Sequence, residues 1–270
     1  MIETKVELIT PEMAKVYLER NTKNRRLEGR VVDRYASDMV AGRFDLTHQG
    51  IGFYETGDLA DGQHRLSAIV KANVPVRMMV TRGLKKESVT QIDSHKARSL
   101  VDSFSIQSGT NRIAGCDAKK AFAIVRTSAE VQSAHGAYQS YQTSIDLCNA
   151  HTDGLAFVSA YASKRERIIN QGAILAAIFS AYYFVETSKL KRFCDVLFGF
   201  EDPVDDFDQP AIRFRCQVLA CRSASGRNER KIVFGKTQRA IKAAIEGEKI
   251  KVIRDGGVIW PAPLANVRGI

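Results

Sequence analysis

The stretch LADGQHRLSAIVKANVPVRMMV, residues 59–80, decides how the first third of the chain is read. Ile51 to Tyr54 is a short apolar strand, Thr56-Gly57-Asp58 reads as a hairpin turn, and Leu59-Ala60 opens a return strand. From Leu66 onward the apolar residues Leu66, Ile69, Val70 and Val74 keep helical spacing, until Pro75 breaks the pattern and Val76 to Val80 reads as strand again. Asp61, Gly62, Gln63, His64 and Arg65 therefore stand together where a strand gives way to the first turn of a helix.

A helix start carries unpaired backbone N–H groups and the positive end of the helix dipole, so it holds an anion without any side chain. Gly62 lets a ligand approach the backbone. His64, Arg65 and Ser67 are donors suited to phosphate oxygens, and a guanidinium can bind two of them at once. Asp61 admits two readings. It caps the helix and pairs with Arg65, or it holds a Mg²⁺ ion that bridges it to phosphate.

Working upstream, Thr10-Pro11-Glu12 has the form of a helix start, with a helix expected to about Arg20. A second helix follows, on which Val31, Val32, Tyr35, Met39 and Val40 share a face and Gly42 is the stop. Downstream, Lys86 to Ile92 is expected as a short helix. From about residue 100 the chain reads as successive helices with Gly/Ser-rich breaks such as QSGTNRIAG, an acidic loop EDPVDDFDQP, and a tail VIRDGGVIWPAP expected to end in a small hairpin. The fold class expected is α+β: a small α/β module over residues 1–105 and a helical domain over 106–270.

Bulk properties narrow the function classes. The 270 residues carry 40 Lys and Arg against 30 Asp and Glu, a formal charge of +10 that makes a polyanion, nucleotide or DNA, the expected partner. No apolar run reaches the roughly 20 residues of a bilayer span, and the N-terminus lacks the order of a signal peptide, so a cytoplasmic protein with no membrane partner is expected. The five cysteines form no CxxC pair, which speaks against zinc and disulfide frameworks. A GxxxxGK[ST] loop is absent, which excludes a conventional P-loop NTPase. Within the helical half, CRSASGRNERK with Lys236, Arg239 and Lys242 is the densest basic region, either a nucleic-acid surface or a solvated face. His135 and His151 are expected in loop or cap roles, and the aromatic run Tyr182-Tyr183-Phe184 in packing.

DGQHRLSAI, preceded by a strand and followed by VPVRMMV, resembles the signature of the ParB/sulfiredoxin-like superfamily, and more narrowly the DGQHR-type ParB-like proteins of phage and actinobacterial genomes. RNTKNRRLEGRVVDRYASDMVAGRF resembles that family's first box, and QIDSHKARSLVD the stretch that closes the module in phage members. The resemblance covers roughly residues 8–105. It implies that Gly62, Gln63, His64 and Arg65 contact nucleotide phosphates, that Asp61 contacts the metal or a substrate hydroxyl, and that Asn24, Arg25 and Arg26 close over the nucleotide. Glu28, the nearest acid, is the candidate base for phosphoryl transfer. Asp93, His95, Lys96 and Arg98 form a second polar cluster, facing the same pocket or capping a helix. Gln63 stands where sulfiredoxin carries its cysteine, and Gln63-His64 where clamp-forming ParB carries Glu-Arg, so neither sulfinate reduction nor CTP clamping is implied. The function expected is Mg-dependent nucleotide binding, with NTP hydrolysis or phosphoryl transfer, in a DNA transaction such as DNA modification or its regulation. The alternative is a non-catalytic DNA-binding accessory protein.

Overall fold

The computed structural model describes residues 1–22, 24–90, 98–132, 140–162, 172–220 and 226–263. Asp93, His95, Lys96, His135 and Cys221 lie outside the described residues. The chain is α+β and divides into two compact units, the first formed by residues 1–98 with the opening residues of a later helix, the second by the rest.

The first unit is built on four strands: β1 (Glu3–Ile9), β2 (Ile51–Tyr54), β3 (Leu59–Asp61) and β4 (Val76–Leu84), in the order β1-β4-β2-β3. β4 runs antiparallel to β1 and parallel to β2, and β3 folds back antiparallel on β2. Three helices accompany the sheet: α1 (Pro11–Glu19), α2 (Gly29–Val40) and α3 (Gln63–Ala72). Thr10 caps α1 by accepting from the Met13 backbone N–H at 3.3 Å, with Pro11 in the first turn, as the sequence leads one to expect. The amide of Gly42, at φ +66°, closes the turn after α2 on the Met39 carbonyl. α3 ends earlier than Pro75 requires, because Asn73 turns left-handed at φ 54° and its N–H bonds the Ile69 carbonyl. Ile9, Val32, Met39, Ile51, Phe53, Leu66, Ile69 and Val80 form one core between sheet and helices.

The strand β1 escapes sequence reading. Val6 and Leu8 alternate with Lys5 and Glu7, but six of its seven residues are exposed or half-buried and only Ile9 is buried, so no buried apolar face marks it. It exists because it pairs residue for residue with β4, from Glu3 opposite Arg82 to Ile9 opposite Val76. On its core-facing side Glu7 accepts from the Tyr17 hydroxyl at 2.9 Å and pairs with Arg82, which holds its carboxyl below the usual range.

The second unit comprises α4 (Leu100–Ser108), α5 (Ala118–Gln132), α6 (Tyr141–Ala150), α7 (Thr152–Tyr161), α8 (Gly172–Ala181), α9 (Thr187–Phe198), α10 (Gln209–Leu219) and α11 (Arg227–Glu246). α4 belongs here rather than with the module, since Leu100 and Phe104 join the core of Phe122, Ile124 and Phe179. Its start is a capping box in which Ser99 and Asp102 bond reciprocally. α8 has no polar face: every residue from Ala173 to Ala181 is buried, which makes it the centre of the unit. Within the glycine-rich break at 107–115 a two-residue hairpin forms, β5 (Arg112–Ile113) with β6 (Cys116–Asp117). Ala114 and Gly115 both take positive φ, as a primed turn demands.

The tail corrects an expectation, because the described part of it forms no hairpin. Gln238, fully buried on α11, accepts the backbone N–H groups of Ile259 and Trp260 at 2.7 and 3.0 Å and donates to the Trp260 carbonyl at 2.7 Å. Those backbone groups find their partners in one side chain instead of a ladder. The acidic loop is fixed by Arg192, which reaches the fully buried Asp208 carboxylate at 2.6 Å. Burial alone would raise the Asp208 carboxyl, but Arg192 and the N–H groups of Val204 and Asp205 hold it below the usual range.

Candidate functional site at the start of the third helix

β3 ends at Asp61 and α3 begins at Gln63, so Gly62 must make the corner. It does so in the left-handed region at φ +106°, and a Cβ there would lie 3.2 Å from the Ile51 side chain and 3.4 Å from the Gly50 carbonyl. Both conditions select glycine. Leu66 and Ile69, fully buried, anchor the helix that follows.

Asp61 and Arg65 face each other across the corner. One carboxylate oxygen of Asp61 accepts the Gly62 N–H at 2.6 Å and the other meets the Arg65 guanidinium at 2.6 Å. Arg65 is largely enclosed, its side chain 13% exposed against 33% for Asp61. Its Nε is buried and has no hydrogen-bond partner.

Gln63, expected to contact phosphate, is instead turned inward and 6% exposed. Its amide donates to the Arg25 carbonyl at 2.8 Å and accepts from Asn21 at 3.2 Å. Asn24, expected beside the nucleotide, donates to Asn21 at 2.7 Å and to the Leu59 carbonyl at 2.9 Å. These amides form a relay that fastens the loop before α2 onto β3 and α3. The two stretches that sequence reading singled out separately are thus tied by side chains, with Gln63 and Asn24 as the fasteners; the amide oxygen and nitrogen of Gln63 and the amide nitrogen of Asn24 bond to protein.

His64 completes the tie. Its Nε2 accepts the Glu28 backbone N–H at 3.0 Å, so the neutral ring carries its proton on Nδ1. Burial and the nearby Arg25 charge lower its pKa, with Glu28 and Asp61 acting in the opposite direction. The cluster that results gathers Asp61, His64, Arg65, Arg25 and Glu28 around the start of α3. Arg25, Arg26 and Glu28 are exposed at its rim, and Ser67 is half-buried one turn into the helix. Arg98 is exposed just ahead of the Ser99 cap and takes no part in the cluster's hydrogen bonds shown above; Lys96 lies outside the described residues.

Among the described residues no group of three or more His, Cys, Asp or Glu side chains could hold a metal ion. Asp61 and, at the rim, Glu28 are the carboxylates where phosphate donors gather. That fits magnesium, which keeps most of its shell as water and phosphate oxygens and takes one or two protein carboxylates. Two clefts of about 330 Å³, lined by residues such as Tyr17, Arg20, Phe53, Glu55 and Arg82, lie at the carboxyl ends of β2 and β4 and include none of the cluster. A helix start with the exposed polar residues Arg25, Arg26 and Glu28 at its rim suits a phosphate chain better than an apolar ligand.

Four of the described cations in the basic stretch of the second unit face carboxylates of the chain. Arg227 and Arg230 face Glu130, Arg239 pairs with Glu248, and Lys242 lies 3.5 Å from Glu246. His151 is 6% exposed between the rings of Phe179 and Tyr183, and burial lowers its pKa. No helix among the described residues is long and apolar enough to cross a membrane. No protein-family model matches the chain, and neither a curated protein nor a solved structure matches it.

Proposed function

We propose that the first unit is a magnesium-dependent nucleotide-binding module in which phosphate competes with Asp61 for Arg65. The observation that carries this reading is the Asp61–Arg65 contact at 2.6 Å beside a left-handed Gly62. Asp61 occupies the guanidinium as a phosphate oxygen would. An incoming phosphate chain takes that place, receives the N–H groups of the first turn of α3 and the Nδ1–H of His64, and frees the Asp61 carboxylate. Magnesium, bound with the nucleotide, supplies neutralisation of the phosphate charge, and Asp61 is the residue placed to hold it. Arg25 and Arg26 close the rim from the loop that Gln63 and Asn24 fasten.

NTP hydrolysis or phosphoryl transfer would draw on Glu28, beside His64, to orient an attacking hydroxyl. The resemblance to DGQHR-type ParB-like proteins supports a DNA transaction, modification or its regulation, as the setting. The alternative, a DNA-binding accessory that grips phosphate through the helical unit, has less support, since the α11 cations named above face carboxylates within the chain.

Thermal melting with ATP, CTP, GTP and ADP, each with and without Mg²⁺, tests the reading, because a ligand bound by the folded state alone raises the melting temperature. A rise with nucleotide, reduced at least about tenfold in apparent affinity by Arg65→Ala and only partly restored by Arg65→Lys, is expected. No rise with any nucleotide at millimolar concentration refutes it. A gel shift at low salt that is lost steeply with added salt, in the absence of any nucleotide effect, would instead favour the accessory reading.

A further inference from the structure

We infer that β1 is a self-association edge, through which two copies of the chain join their sheets into one antiparallel sheet of eight strands. β1 is the terminal strand of the order β1-β4-β2-β3, so one row of its backbone N–H and C=O groups has no ladder partner among the described residues. Such edges are ordinarily blunted by proline, by a bulge, by being very short, or by charged side chains. β1 lacks the first three, being seven residues long, without proline and in unbroken register with β4. It does carry charges, with Lys5 paired to Glu3 at 2.5 Å and Glu7 to Arg82 within the chain, so it is their pattern that decides what the edge accepts.

Its outward face is also apolar where the helices do not cover it. Val6 is 47% and Leu8 55% exposed. They stand on the side opposite Glu7 and Ile9, next to Met79 and Arg77 of β4. A second strand laid along the edge would bury part of both.

The sequence of the strand, ETKVELI, selects the occupant and the register. In a two-fold antiparallel pair each register is centred on one residue, which faces its own counterpart. Among registers that pair five or more residues of the strand, three are available, centred on Lys5, Val6 or Glu7. Centring on Lys5 sets Lys5 against Lys5 and Glu3 against Glu7. Centring on Glu7 sets Glu7 against Glu7. Like charges directly opposite are destabilising and opposite charges favourable. Only centring on Val6 avoids them: Lys5 meets Glu7 of the second copy twice by symmetry, Val6 meets Val6, and Thr4 meets Leu8, while all seven residues are paired. A strand whose charges complement its own reversed copy is a surface for that copy.

The inference does not depend on the nucleotide reading, and its test is separate. The full chain at high micromolar concentration should run in light scattering at twice its 30.0 kDa. Val6→Lys, which sets two cations against each other on the axis, should give a monomer with an unchanged melting curve at low concentration, since the side chain is half-exposed. In a background of Cys216→Ser and Cys221→Ser, Val6→Cys should give a disulfide-linked dimer on mild oxidation, because residues on the axis approach within disulfide range. Thr4→Cys, which faces Leu8 rather than itself, should not. A wild-type chain that stays monomeric, a Val6→Lys dimer as stable as wild type, or a Thr4→Cys dimer formed as readily as the Val6→Cys one would each overturn the inference.

Discussion

Asp61 and Arg65, one helical turn apart, close on each other at 2.6 Å, and the carboxylate thereby holds the guanidinium at the mouth of α3. If phosphate and Asp61 compete for that guanidinium, removing the carboxylate charge must help phosphate. Asp61→Asn is therefore expected to bind nucleotide several-fold more tightly than wild type without Mg²⁺, and to lose the effect of Mg²⁺. The broken pair, largely shielded on the Arg65 side, should cost about 1 kcal/mol of stability. Calorimetric titration of both proteins with and without the metal measures it. Equal affinities and an intact metal effect would leave Asp61 as a structural partner only.

Gly62→Ala tests whether the corner positions the cluster. An alanine at φ +106° is strained, and its Cβ would crowd Ile51 and the Gly50 carbonyl at 3.2 to 3.4 Å. The expected loss is about 1–3 kcal/mol, read by urea or thermal unfolding, together with weaker nucleotide binding. A variant as stable as wild type would mean that the corner relaxes freely.

His64 predicts opposite pH trends for stability and binding. Its folded pKa is depressed, first by burial and then by Arg25. The stability this contributes is complete above the unfolded value of about 6.5. It declines as pH falls below that value, where the unfolded chain takes up the proton first, until the folded ring is protonated as well. A bound phosphate favours the protonated ring, so nucleotide affinity should instead rise between about pH 7 and 5.5. His64→Gln keeps an acceptor for the Glu28 N–H and removes the titration. Comparing the two proteins across pH isolates His64 from His151, whose pKa burial also lowers. Parallel pH profiles of affinity would exclude His64 from the phosphate site.

The strand-to-helix corner was legible because each of its residues is dictated locally: a hairpin turn, a glycine, an apolar face from Leu66. The helices of the second unit were legible for the same reason. What could not be read is what depends on distant partners. β1 alternates Val6 and Leu8 with Lys5 and Glu7, but its pairing partner β4 lies more than sixty residues away. Gln63 and Asn24 look like ligand contacts in a polar motif, and only the folded loop shows their amides facing one another through Asn21. The α11 cations read as a basic patch because Glu130, a hundred residues before Arg230, does not appear beside them in the sequence.

Gly235 gives a prediction for the second unit. A Cβ there would fall 1.9 Å from an Asp255 carboxylate oxygen and 2.9 Å from the Gly257 carbonyl, so the helix admits the tail only at that glycine. Gly235→Ala should displace residues 255–257 and loosen the Gln238 bonds to Ile259 and Trp260. Trp260 is the single tryptophan of the chain, so the change should appear as a red-shifted and more readily quenched emission. An unaltered spectrum would show that the tail finds another seat.

The all-buried helix α8 sets a clock for the second unit. A helix with a solvent face can fray or lift while its neighbours stay in place, and its amides then exchange through small openings. α8 has no such face from Ala173 to Ala181. Its backbone hydrogens can meet solvent only when several surrounding helices part together. At a pH high enough that every opening leads to exchange, their exchange rate in deuterated water becomes the opening rate of the whole unit, and the slowest amides of that unit should be found there.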